Sequence, residues 1–123
     1  ALEAIMTNRA IRYYEDRPIA DDDIATCLAA AQQAPSGGNV QPQQYVVVTD
    51  PDTKAALGTW YRAAYDRYER TLPDPSAFSD PEQAASWERS RRASRHLADH
   101  VHTAGAIVIF LQPIIDWTPA DDA

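Results

Sequence analysis

Helical periodicity and short apolar runs divide the chain into elements. Leu2, Ile5 and Met6 recur at helical spacing and predict a short amphipathic helix ending near Asn8. From Arg9 to Pro18 charged and aromatic residues mix without a period, which predicts an extended connection. Asp21, Asp22 and Asp23 stand where carboxylates favour a helix amino end. Ile24, Cys27, Leu28 and Ala31 follow at helical spacing, so a helix is expected to about Ala34. Pro35, Ser36, Gly37, Gly38 and Asn39 form a turn-rich loop, extended by Val40, Gln41 and Pro42. Tyr45, Val46, Val47 and Val48 then read as a buried strand.

Asp50 before Pro51 is a strong helix start, an N-cap with proline at the first helical position. Leu57, Tyr61, Tyr65, Tyr68 and Leu72 lie on one side of the helix it opens, and Pro73, Pro75 and Pro81 break it. A second long helix is expected from about Pro81 to His102. It carries Trp87, Ser90, Ser94, Leu97 and Val101 on one stripe and turns Arg89, Arg92 and Arg95 away. Ala106 to Leu111 is the second buried strand, and no periodicity follows Gln112. The fold class is α+β. Two strands make a marginal sheet, so the expectation is that the polypeptide continues past Ala123, or that the strands pair within an intertwined oligomer, or both. Residues 1 to 123 read as a single domain, incomplete at its carboxyl end; the Ala at position 1 points to a trimmed amino end.

Composition narrows the function. With 45% hydrophobic and 24% charged residues, the chain belongs with globular domains, and its size allows a real core with little excess. A net charge of −7 is the wrong sign for general binding to nucleic acid or anionic membranes. Ten of the eleven cations are Arg, whose planar fork suits phosphate and carboxylate, so a local anion site is compatible with the acidic whole. The longest apolar run, Ala104 to Leu111, is too short to span a bilayer, and no export signal precedes it. The cytoplasm is the default expectation. Cys27 alone allows no internal disulfide, and its place on the stripe with Ile24, Leu28 and Ala31 predicts an inert buried thiol.

Two constellations carry candidate chemistry. In Asn8-Arg9-Ala10-Ile11-Arg12-Tyr13-Tyr14, guanidiniums three residues apart can hold a phosphate dianion by charge-assisted hydrogen bonds. The competing reading is a solvated ion-pair segment with Glu15, Asp16 and Arg17 as partners. In Ala34-Pro35-Ser36-Gly37-Gly38-Asn39-Val40-Gln41-Pro42, paired glycines let the backbone approach a flat ligand, and Ser36, Asn39 and Gln41 can hydrogen-bond a heterocycle. The competing reading is a plain helix-to-strand connection. His96 and His100, at i and i+4, can chelate zinc, but Leu97 stands where a metalloprotease motif needs glutamate. Arg89, Arg91, Arg92 and Arg95 read as a solvated helix face with nearby acids.

The arginine pair and the loop, at their observed separation, resemble the amino-terminal half of the FMN-dependent nitroreductase family. That family carries R-S-x-R-x-[FY], then a proline, an acidic helix start, and A-P-S-x-x-N-x-Q-P-W leading into a strand. The corresponding stretches are Arg9 to Tyr14 and Ala34 to Gln43, followed by Gln44-Tyr45-Val46-Val47-Val48. Leu97-Ala98-Asp99-His100 and Ile107-Val108-Ile109-Phe110 resemble the family's next two elements. Ala10 stands in place of the usual serine, and Gln43 in place of the usual aromatic.

The resemblance implies a three-layer α+β fold with a central, mostly antiparallel sheet flanked by helices and completed in a homodimer with FMN at the interface. It implies that Arg9 and Arg12 bind the FMN phosphate and ribityl chain, and that Ala10 adds backbone contacts. Pro35, Ser36, Asn39 and Gln41 would approach the isoalloxazine ring from the other subunit. The implied activity passes hydride from NADH or NADPH through the flavin to an electron-poor small molecule such as a nitroaromatic or quinone, with no side-chain nucleophile. The aromatic helix with Trp60, Tyr61, Tyr65 and Tyr68 is a candidate pocket wall or lid. Alternative expectations are a flavin protein of the same fold that stores, senses or consumes FMN without an exogenous acceptor, and a non-catalytic interaction domain.

Overall fold

Residues 2–113 are described by the computed structural model. Helix α1 covers Leu2–Thr7 and is followed by an arm without regular structure as far as Ala20. Helix α2 covers Asp21–Ala31, strand β1 Gln44–Val48, helix α3 Pro51–Glu69, helix α4 Pro81–His100 and strand β2 Ile107–Leu111. The expected elements are all present, and their ends differ by a few residues. Helix α2 stops at Ala31 rather than Ala34, because Gln33 and Ala34 donate their N–H groups to the tighter i−3 carbonyls of Ala30 and Ala31. Pro35 disfavours helical geometry for the residue before it. Helix α4 likewise ends at His100, and a single 3₁₀ turn, Val101–Thr103, completes the stretch.

The two strands pair antiparallel with Val46 opposite Ile109 and Tyr45 opposite Phe110. Side chains alternate across a strand, so Tyr45, Val47, Val108 and Phe110 share one face while Val46, Val48, Ile107 and Ile109 share the other. Both faces are apolar, the pattern of a sheet that sits between layers rather than at a surface. Within this chain, however, Val46, Val108 and Phe110 remain exposed.

The better-packed region is the hairpin of α3 and α4. Asp50 accepts hydrogen bonds from the Thr53 backbone N–H and hydroxyl, at 2.7 and 2.6 Å, and these bonds hold its carboxyl below the usual range. The same grammar recurs where Asp74 precedes Pro75 and Asp80 precedes Pro81. Tyr65, 7% exposed, fills the space between the helices, and burial raises its phenol pKa. Nearby, Glu69 accepts hydrogen bonds from Arg95 Nε at 3.1 Å and Nη2 at 2.5 Å. These bonds, more than the fields of Arg95 and Arg91, hold the Glu69 carboxyl below its ordinary value. Farther along, Arg62 bridges Asp66 and Asp99. At the turn between the helices, Trp87 Nε1 donates to the Pro73 carbonyl and its ring meets Phe78.

Long-range contacts tie the hairpin and β2 to the rest of the chain. Lys54 Nζ donates to the Ala104 carbonyl at 2.8 Å, fixing the start of α3 beside the entrance to β2. At that entrance the arm crosses Gly105 so closely that a Cβ there would lie 2.5 Å from the Arg17 carbonyl oxygen and 2.7 Å from Ile19 Cγ1. Only glycine admits this approach. The expectation of burial fails for both strands, in which Val46, Val47, Val108, Phe110 and Leu111 are exposed, and for Cys27, which is exposed as well. Helix α2 has no fully buried residue, and of its apolar stripe only Ile24 and Leu28 are half-buried within the described chain.

Candidate functional site

The arm presents its arginines in an unusual state. No carboxylate lies within 4.0 Å of Arg9 or Arg12 among the described residues. Glu15, a candidate partner on sequence grounds, pairs instead with Arg17, whose Nε approaches it to 2.5 Å. Among the described residues the backbone N–H groups of Ala10, Ile11 and Arg12 also make no backbone hydrogen bond. One short segment thus carries an exposed and a half-buried guanidinium and a run of backbone donors without partners among the described residues. That is the donor set of an anion site, and replacing serine by alanine at position 10 removes none of these backbone groups.

The loop between α2 and β1 is shaped from within. Residues Gly37–Asn39 form a 3₁₀ turn, closed by Asn39 N–H to the Ser36 carbonyl at 3.0 Å and Val40 N–H to the Gly37 carbonyl at 3.3 Å. Ser36 Oγ accepts from the Gln41 N–H at 3.0 Å, which folds the second half of the loop back on the first. Gly38, Asn39 and Gln41 have φ of 60°, 55° and 47°. Left-handed backbone costs glycine nothing and asparagine little, but glutamine more, so the loop holds a conformation that its own sequence does not fully favour. Gln43 Nε2 donates to Gln32 Oε1 at 2.9 Å, tying the loop's exit to the end of α2. The side-chain amides of Asn39 and Gln41 have no hydrogen-bond partner among the described residues.

The structure brings some of these residues together and keeps others apart. Pro35 and Ser36 line a cavity of about 440 Å³ with Val40, Pro42, Tyr45 and Phe110. Arg9 and Arg12 are not among the residues lining it, so among the described residues the arginines do not share this cavity with the loop. A second cavity, about 490 Å³, lies between the arm and the helices and is lined by Tyr13, Tyr14, Ile19, Tyr61, Leu97 and Val108. Of the aromatic residues on α3, Tyr61 lines this cavity, Tyr65 is core, and Trp60 and Tyr68 are exposed. His96 and His100 do not converge on a common point: their rings stack at 4.2 Å. Among the described residues no group of three His, Cys, Asp or Glu could hold a metal ion. The stack extends to Tyr13, a contact that no sequence pattern announced.

Comparison with known proteins follows the same lines. The family model described as Nitroreductase family matches residues 5–122. An Archaeoglobus fulgidus protein with the provisional name NADH dehydrogenase/NAD(P)H nitroreductase is 53% identical over 76 residues, which span 62% of this chain and 41% of that protein. The crystal structure of a variant of NfnB, an FMN- and NADPH-dependent nitroreductase from a Sphingopyxis strain, superposes with a TM-score of 0.54 at 27% identity. That alignment covers 89% of this chain and 57% of NfnB. A BluB-like flavoprotein from Clostridium difficile shares the fold at 18% identity and TM-score 0.54, with 98% of this chain and 51% of that one covered. The aligned portion is thus two fifths to three fifths of each relative's length. With its helices, its antiparallel strand pair and a family match over nearly all of its length, this chain belongs to the nitroreductase family.

Proposed function

We propose that this chain is a single domain of an FMN-dependent oxidoreductase that transfers hydride from NADH or NADPH to an electron-poor acceptor such as a nitroaromatic or quinone. The observation that carries the reading is the pair Arg9 and Arg12, without carboxylate partners among the described residues, on a segment with free backbone N–H groups. Such donors fit the phosphate of FMN. The loop's unpaired amides fit the polar edge of its ring.

When bound, FMN supplies the hydride-accepting and hydride-donating chemistry, alternating between the nicotinamide and the acceptor. The chain's own residues bind and orient. Arg9 and Arg12 neutralise the phosphate, and the Ala10 backbone adds a donor. Ser36 holds the loop in its folded-back form through the Gln41 N–H, so the backbone that carries Asn39 and Gln41 is set before any ligand arrives. Pro35 supplies a rigid apolar edge. Because the arginines do not share the loop's cavity among the described residues, the reading has the loop contributed by a second copy in a homodimer with FMN between the subunits. A reducing compartment, the cytoplasm, suits an exposed, unpaired Cys27.

The test is to purify the full polypeptide, desalt it and measure retained flavin, then follow NADH and NADPH oxidation with a nitroaromatic or quinone. Stoichiometric FMN with turnover supports the reading. Retained FMN without acceptor-dependent turnover replaces it by storage or sensing, and a colourless protein that takes up no FMN removes it.

A further inference from the structure

The arm that bears the arginines has little backbone support. Between Asn8 and Ala20 it contains no helix or strand, and its one backbone hydrogen bond among the described residues is local, from Arg17 N–H to the Glu15 carbonyl. The Tyr14 hydroxyl likewise reaches only the Ile11 carbonyl. A segment so built keeps much of its conformational freedom unless side chains hold it. Any freedom left to Arg12 must be given up when it grips a ligand.

Side chains do hold it, beside Arg12. The Tyr13 ring stacks on His96 of α4 with centroids 4.2 Å apart and planes 24° apart. His96 stacks in turn on His100, at 4.2 Å and 21°. The far end of this column is fixed, because His100 Nδ1 lies 2.9 Å from the His96 carbonyl oxygen. A carbonyl only accepts, so His100 carries its proton on Nδ1 in this contact. His96 is half-buried on a helix that Tyr65, Glu69 and Arg62 bind to α3, so the column rests on the best-packed part of the molecule.

We infer that His96, acting through Tyr13, is a positioning residue for the phosphate-binding arginine Arg12. The inference rests on the proposed function, since it concerns how the arm presents Arg12 to the FMN phosphate. What the arm needs at position 96 is a flat ring, not a proton donor or a metal ligand.

The experiment titrates FMN and, separately, riboflavin into flavin-free full-length protein and reads flavin fluorescence. Riboflavin lacks the phosphate, so the ratio of the two dissociation constants isolates what the phosphate site contributes, and its change in Arg12→Ala gives the share of Arg12. The expected result for His96→Ala is FMN binding weaker by about threefold to tenfold, the scale of one lost aromatic stack, with riboflavin binding unchanged. His96→Phe restores the ratio. Tyr13→Ala gives the same loss from the exposed side of the stack and decides the matter if His96→Ala fails to fold. Adding Tyr13→Ala to His96→Ala costs nothing further, as expected for two ends of one contact. Equal weakening of both ligands, additive losses, or failure of phenylalanine to restore the ratio overturns the inference. If wild-type protein binds no FMN, the function itself is wrong. If Arg12→Ala weakens FMN while His96→Ala and Tyr13→Ala do not, only the positioning role is.

Discussion

In the hairpin of α3 and α4, Tyr65 keeps 7% of its accessible surface and Glu69 is gripped by Arg95. In the arm and the loop, the side chains of Arg9, Asn39 and Gln41 are exposed, with no hydrogen-bond or ion-pair partner among the described residues. The two regions share one short chain and use its polar groups in opposite ways. The hairpin commits them to each other and gains a defined geometry. The arm and loop leave them open, and hold their shape through a few contacts: Ser36 to Gln41, Gln43 to Gln32, Gly105 under Arg17, and Tyr13 on His96. The lesson is a division of labour in which a scaffold with most of its polar groups paired, the buried Arg91 Nε excepted, carries the proposed binding surface, whose side chains are unpaired among the described residues.

The sharpest way to break the comparison is at Tyr65. Truncation to alanine empties the space between α3 and α4 and is expected to cost about 3 kcal/mol or more, read as a lower urea midpoint with unchanged slope. A loss below about 1 kcal/mol would show that the hairpin is not the stabilising half. Next is Arg12→Ala, expected to leave the urea midpoint nearly unchanged while weakening FMN binding by about tenfold to a hundredfold, the scale of charge-assisted hydrogen bonds. A large fall in stability with no change in affinity would reverse the roles assigned to the two regions. Gly105→Ala tests their junction. The new methyl must push the Arg17 carbonyl aside, with an expected cost of about 1–3 kcal/mol and a several-fold loss of FMN affinity. Stability lost without affinity would mean that the arm's path over β2 does not matter to the arginines.

The smallest effect is expected at Glu69. Its folded-state pKa lies below the ordinary glutamate value, with hydrogen bonding from Arg95 as the first cause. Its stabilising contribution is therefore complete above the unfolded value of about 4.3 and is lost as pH falls through the lower folded value. Glu69→Gln is expected to lower stability by less than about 1 kcal/mol at neutral pH, because Arg95 is half exposed, and to flatten the acid limb of the stability profile. An unchanged acid limb would show that the Arg95 contact is dispensable.

How much was legible in advance follows the same division. Asp50-Pro51 announced α3 because an N-cap carboxylate and a proline at the first turn act locally, and Asp80-Pro81 obeys the same rule. The half-buried stripe from Trp87 to Val101 was readable from spacing alone, and the arm and loop motifs pointed to the family. The misreading of Cys27 has a definite cause. Amphipathic spacing says that a face is apolar, not that a surface within the same chain covers it. The Tyr13 stack on His96, the Lys54 bond to Ala104 and the arm's passage over Gly105 were invisible, since each joins distant residues through geometry that no local pattern encodes. Gln41's left-handed backbone was also unreadable, because glutamine does not favour that conformation and the Ser36 contact imposes it.

The most direct test of the central claim is the difference in affinity of the full-length protein for FMN and riboflavin, measured on wild type and Arg12→Ala at one salt concentration. The account predicts a clear wild-type preference for FMN, weakened by the substitution while riboflavin binding stays as it was. Equal affinity of the wild type for the two flavins, or a preference undiminished by the loss of Arg12, would contradict it.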